Sequence, residues 1–305
     1  MTAIILHHFD ISPFAEKIRL ALGIKNLAWH SVQIPIVMPK PDLTALTGGY
    51  RKTPVMQIGA DIYCDTQRIS RELERRQPMP SLFPDQSAGL ALALAAWSDK
   101  AFFQPGAALS MGTNADIPES ILEDRKAFFN FMDFDKLSDN LPHLYGQLRA
   151  QAAWVDGQLA DGRDYLLGDA PSWPDVLAYF VVWMARANIA DVTPLLSRFQ
   201  AMAEWEERMA AIGHGERSEM DAEEALAIAG DSETQTEVSV DADDPLGLAA
   251  GAAVTVAPDD YGIVPVAGEL LRLTMDDIAI RRTDSRAGEV VVHFPRVGYR
   301  VDPAA

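Results

Sequence analysis

The sequence predicts an α/β domain followed by an all-helical domain, with a small all-β, barrel-like module at the C-terminus. Three observations support this. Residues 1–76 alternate between strand-like and helix-like segments, and residues 87–215 carry only helical periodicity. From Leu246 the pattern breaks into short apolar runs separated by Gly, Pro and Asp. A chain of 305 residues also exceeds one typical core, so several domains are expected.

The elements follow in order. Ile4-Ile5-Leu6 is a short apolar run, consistent with a buried strand. Ser12-Pro13 then starts a helix, with Ser as N-cap and Pro at the first helical position, where its missing N–H costs nothing. Phe14, Ile18, Ala21 and Leu22 fall on one face of that helix, and Gly23 sits where it would stop. Residues 28–34 read as a second strand. Residues 54–58 and 61–64 read as a hairpin about Gly59-Ala60, and residues 66–76 as a charged helix. The order is βαβ, then ββα.

Residues 77–86 hold three prolines and read as a linker. Leu90, Leu94 and Trp97 begin the helical domain, and residues 119–139 and 141–159 read as two further helices. Ser172-Trp173-Pro174-Asp175 has the form of a capping box before a helix that is apolar on nearly all sides. Residues 216–245 change character: positions 216–244 carry eleven acidic residues against one basic residue and no aromatic, and read as an acidic linker. In residues 246–305, six short runs (253–256, 263–266, 270–273, 278–281, 290–294 and 299–301) predict a small barrel or rolled sheet.

Charge and cysteine content exclude several function classes. A formal net charge of −18, with no Lys/Arg cluster, disfavours nucleic acid and anionic membranes alike. One cysteine, Cys64, permits neither an intramolecular disulfide nor a Cys-x-x-Cys metal site. The longest apolar stretch, residues 176–185, is half a membrane span, and the N-terminus has no leader-like segment. A cytoplasmic protein without nucleic-acid or membrane partners is expected.

Three local motifs add a family. Ser12-Pro13-Phe14-Ala15-Glu16-Lys17-Ile18-Arg19 resembles the first-helix motif of cytosolic glutathione transferases. Lys52-Thr53-Pro54-Val55 resembles that family's segment before the third strand, where the proline is cis. Asp65-Thr66 resembles the Glu-Ser pair that opens its third helix. The Ser172–Asp175 box also occurs at the matching place. The resemblance covers residues 1–212 and implies a thioredoxin-like domain, a helical domain and a two-fold homodimer, with glutathione as co-substrate.

The chemistry is well defined. A free thiol of pKa about 8.5 is only about 3% thiolate at pH 7, and lowering that pKa by two units needs about 2.7 kcal/mol. One hydroxyl donor and a helix N-terminus are of that size. By the resemblance Ser12 is the donor; on its local sequence alone it is equally an N-cap. Phe14 belongs to the same motif. Thr53, turned outward by a cis Pro54, would pair with the cysteinyl backbone, although a trans proline opening a strand reads equally well locally. Asp65 and Thr66 would hold the γ-glutamyl end or merely cap a helix, and Asp is one methylene shorter than the family's Glu. Lys40 or Lys52 would meet the glycyl carboxylate or remain surface charges.

A small hydrophobic electrophile would lie against the first helices of the helical domain, with Phe102, Phe103 and Met111 as wall residues or core. Because a hydroxyl cannot form a mixed disulfide, Ser12 implies little thiol–disulfide exchange. The alternative reading is a non-catalytic dimeric scaffold whose C-terminal β module recognises a partner. Tyr261, Phe294, Arg296 and Tyr299 would then be contacts, or else the module's own core.

Overall fold

The computed structural model describes residues 2–304. It opens with β1 (Ile5–His8), α1 (Pro13–Ile24), β2 (Ala28–Gln33), α2 (Pro41–Thr47), β3 (Val55–Ile58), β4 (Asp61–Cys64) and α3 (Thr66–Arg76). β2 runs parallel to β1, while β3 is antiparallel to both β1 and β4, so the thioredoxin-like order β2-β1-β3-β4 is present. All twelve residues of β1, β3 and β4 are buried, as strands covered on both faces require.

The helical part comprises α4 (Ala88–Ala96), a π-helical turn at Trp97–Phe102, α5 (Phe103–Thr113), α6 (Glu119–Phe128) and α7 (Leu137–Leu159). α8 (Trp173–Asn188), α9 (Val192–Leu196) and α10 (Gln200–Ala211) complete it. The expected helix over 119–139 instead stops at Phe128, because Phe129 turns to extended backbone. Phe129 and Phe131, both half-buried, then pack edge-on against Phe103 at 6.4 Å each, a contact the extended backbone makes possible. α8 is buried on nearly all sides behind its capping box. Lys17 of α1 is fully buried, but Asp99 takes its ammonium bidentately at 2.9 Å and the ring of Phe180 lies 4.9 Å away.

The rest of the chain departs furthest from the sequence reading. The acidic stretch 216–245 contains β5 (Glu216–Glu219), α11 (Ala222–Gly230) and β6 (Ser239–Val240). After it come β7 (Ala253–Pro258), β8 (Val266–Leu273), β9 (Asp277–Asp284), β10 (Gly288–Pro295) and β11 (Tyr299–Pro303). These five strands do not close into a barrel. They form a meander whose β10 lies parallel to β4, with His293 opposite Tyr63, while β5 lies parallel to β2 at the far edge. One sheet therefore runs β11-β7-β8-β9-β10-β4-β3-β1-β2-β5, with β6 paired to β8.

Both edges of the four-stranded sheet are covered by residues from 216 onward, which removes the exposed backbone an edge strand presents. The hydrophobic core is shared as well: Ile62 and Cys64 of β4 pack with Val290, Val292 and Phe294 of β10 and with Leu226 of α11. Two compact units result. One comprises Met1–Ala15, Ala28–Glu72 and Glu216–Ala305; the other comprises Glu16–Leu27 and Leu73–Gly215. The C-terminal β strands are thus part of the thioredoxin-like unit.

Candidate active site

Strand register brings the three motifs to one end of the sheet. Val55 at the start of β3 faces His7 near the end of β1 and Cys64 at the end of β4. The loop after β1, the turn before β3 and the start of α3 therefore open on the same side. Because β10 is parallel to β4, its end and the following turn to Tyr299 arrive there too.

Ser12 is 3% exposed, and its Oγ accepts the Ala15 N–H at 3.2 Å, capping α1. A hydroxyl has one proton to give as well, and among the described residues nothing accepts it. The cap role and the donor role are therefore compatible. Phe14 is half-buried on the first turn. The Thr53–Pro54 bond is cis, and no described residue hydrogen-bonds the Thr53 backbone. Lys40 is buried, donates to Thr53 Oγ1 at 3.2 Å, and stands 5.5 Å from the Phe9 ring, in the loop that leads to Ser12. Lys52 is held elsewhere: Asp260 takes its ammonium at 2.5 Å, and the Tyr261 ring lies 4.3 Å from it.

Asp65 is the most unusual residue of the group. Its φ is +74°, a left-handed backbone that costs a non-glycine residue of order 1 kcal/mol or more. One oxygen accepts the Gln67 N–H at 2.9 Å, an Asx-type cap on α3, and the other accepts the Tyr299 hydroxyl at 3.0 Å. No Lys, Arg or His among the described residues pairs with this carboxylate. Thr66 beside it is 4% exposed at the first position of α3. Behind Asp65, burial first and the Asp65 charge second push the Cys64 thiol well up, so Cys64 is an inert core residue. The same two causes hold the buried Tyr50 and Tyr299 phenols well above their ordinary value.

Phe102 and Phe103 do not form an open wall. Phe102 is fully buried and stacks on Trp97 at 5.1 Å; Phe103, 3% exposed, stacks on Phe180 at 6.1 Å. Both are core side chains of the helical unit, because the π-helical turn before α5 points consecutive rings inward. Met111 is half-buried. A cavity of about 750 Å³ in the same unit is lined by Gln104, Ala108, Phe131, Leu144, Gln147 and Trp154 among others, and none of the three residues reaches it.

Family models for the glutathione S-transferase N-terminal domain and C-terminal domain match residues 6–81 and 121–208. A solved GST-like protein from Pseudomonas syringae is 36% identical, with a TM-score of 0.79, over 100% of both chains. This chain belongs to the glutathione S-transferase family.

A glutathione S-transferase from Rhodospirillum rubrum F11 shares the fold at 20% identity and a TM-score of 0.51, covering 68% of this chain and 87% of its own. The Pseudomonas syringae match covers the whole chain, whereas about a third of it lies outside the Rhodospirillum rubrum match. The curated FtsZ-localized protein A of Caulobacter vibrioides is 28% identical over 102 residues, which is 32% of this chain and 45% of that protein. Less than half the length of that relative is matched. Tyr50, Asp260 and Tyr299 lie outside the three motifs, yet Tyr299 contacts Asp65, Tyr50 contacts Tyr299 and Asp260 contacts Lys52, through pairings that no local motif singles out.

Proposed function

We propose that this family member binds glutathione with its γ-glutamyl end at Asp65 and Thr66, and that it activates the thiol for attack on a small hydrophobic electrophile. The observation that carries the reading is the Asp65 carboxylate: held on a strained backbone by two neutral donors, it has no cation partner among the described residues. A ligand ammonium supplies the missing charge, and the start of α3 offers N–H groups to the adjacent carboxylate. Thr53 contributes an unpaired backbone, and Ser12 an unused hydroxyl proton at the positive end of α1 for a sulfur anion. Lys40 is the better candidate for the glycyl carboxylate, since Asp260 already neutralises Lys52.

The residues present fit glutathione. Among them no helix is long and apolar enough to cross a membrane. A cytoplasmic two-fold dimer belongs to the same proposal, and the mass of the purified chain in solution checks the dimer.

The test is turnover of a chromogenic aryl halide with glutathione, comparing the chain with Ser12→Ala. The expected result is a turnover drop of about 100-fold with glutathione affinity changed less than about twofold, the size expected for one lost donor to a developing anion. Equal turnover would remove Ser12 from the chemistry. A second reading, a binding scaffold without turnover, draws support from the partial match to FtsZ-localized protein A. Retention on immobilised glutathione without measurable turnover would favour it.

A further inference from the structure

We infer that Tyr299, backed by Tyr50, is a positioning residue for Asp65: the C-terminal strands supply the hydroxyl that fixes this carboxylate to receive the γ-glutamyl ammonium. This rests on the glutathione reading above and adds a specificity role for residues outside both matched family domains or not part of their motifs.

The hydrogen-bond direction follows from the groups themselves. A carboxylate only accepts, so the Tyr299 hydroxyl donates its one proton to Asp65 Oδ2 at 3.0 Å. The 2.9 Å contact between the two phenols must then run from Tyr50 to Tyr299. Two phenols in series polarise toward one carboxylate oxygen, and hydrogen bonds in such chains strengthen one another.

Packing fixes the relay. Tyr299 is 5% exposed and Tyr50 3%. The rings are stacked at 6.5 Å, and Phe294 lies 5.5 Å from Tyr299 and 5.9 Å from Tyr50. β11 itself is held against β7 by five register pairs from Tyr299 to Pro303. The hydroxyl is thereby anchored to the sheet, whereas an Asp at a half-exposed helix start ordinarily samples several rotamers.

The chemistry of the donor matters as much as its position. Lys or Arg at this place would consume the negative charge. A phenol orients the carboxylate and leaves the charge uncompensated. A carboxylate has about four lone-pair sites, of which Gln67 N–H and Tyr299 O–H occupy two, so an ammonium can still take the others. Lys52, from the segment before β3, is taken by Asp260 instead.

The experiment titrates the full chain, Tyr299→Phe and Tyr50→Phe calorimetrically with two peptides: glutathione, and its analogue lacking the α-amine. The expected result is glutathione binding weakened about 5- to 10-fold in Tyr299→Phe and about twofold in Tyr50→Phe, with the deaminated analogue bound equally by all three proteins. Both variants keep the ring and its packing, so the analogue acts as an internal check on the rest of the site. Equal weakening of both peptides would make the hydroxyl merely structural and overturn the inference, as would unchanged glutathione affinity in Tyr299→Phe. No glutathione binding by the parent chain would defeat the glutathione reading, and this inference with it.

Discussion

Asp175 and Asp65 both stand at helix starts, and their carboxylates are satisfied in opposite ways. Asp175, at the third position of α8, is fully buried, and its oxygens accept four hydrogen bonds: from Ser172 N–H and Oγ–H, Leu166 N–H and the Trp205 indole. That saturates a carboxylate, so nothing is left for a ligand. Burial pushes its pKa up, and the hydrogen bonds oppose the rise. Asp65, just before α3, is half-exposed, accepts two hydrogen bonds from neutral groups, and sits at a positive φ. A structural cap exhausts its acceptors within the fold. Asp65 keeps acceptor sites in reserve on a strained backbone, as the proposed contact with a ligand ammonium requires.

The comparison breaks most visibly at Asp175. Asp175→Ala strands three buried donor groups besides the Ser172 hydroxyl, and is expected to cost about 3–5 kcal/mol in denaturant unfolding. A loss below about 1 kcal/mol would mean that the hydrogen bonds around Asp175 are not what holds α8 in place. Asp65→Asn, by contrast, keeps an amide oxygen for the cap on a residue type that tolerates the left-handed backbone, and is expected to cost under about 1 kcal/mol.

A third carboxylate sharpens the contrast. Asp61 of β4 accepts from Thr234 and Thr236 hydroxyls, Gln235 N–H and His293 Nε2, clasping the chain after α11 to β4 and β10. Burial opposes the Asp61 charge, but the His293, Thr234 and Gln235 donors outweigh it and hold the carboxyl well below its usual range. Burial pushes His293 down, against the pull of Asp61, with Arg68 also disfavouring its charge and Asp277 favouring it. Both shifts mean that the folded state binds fewer protons than the unfolded chain, so stability falls with falling pH. The His293 part is lost below its ordinary value near 6.5, and the Asp61 part below about 4. His293→Gln is expected to flatten the loss of stability between pH 7 and 5 by up to about 1.4 kcal/mol per pH unit. An unchanged slope would leave the burial of His7, whose pKa is pushed down to about 4, as the cause.

What was legible in the sequence follows the range of the interactions involved. Ser12, Thr53, Pro54, Asp65 and Thr66 lie within motifs of a few residues, set by capping and turn chemistry that a local reading can recognise. The capping box at Ser172 and Asp175 was legible for the same reason. The barrel-like reading of residues 246–305 failed because alternation reports which strands exist, not what they pair with. The β10–β4 pairing joins residues more than 200 positions apart, and the shared burial of Ile62 with Val292 and Phe294 and the Asp61–His293 contact that hold it are invisible to a local pattern. Tyr299 was visible as an aromatic of the module, equally a contact or core. It is core by its ring and reaches Asp65 by its hydroxyl, and the register that brings it there lies beyond any local pattern. Phe102 and Phe103 carried the opposite ambiguity, and packing on Trp97 and Phe180 resolved it toward core.

The central claim is that the Asp65 charge is held ready for a ligand cation, and calorimetric titration of the chain and Asp65→Asn with glutathione tests it most directly. The expected result is saturable binding by the chain and an affinity about 10- to 100-fold lower in Asp65→Asn, the size of one lost charge-assisted contact, at nearly unchanged unfolding stability. Equal binding by both proteins, or no heat from the chain at millimolar glutathione, would contradict the claim.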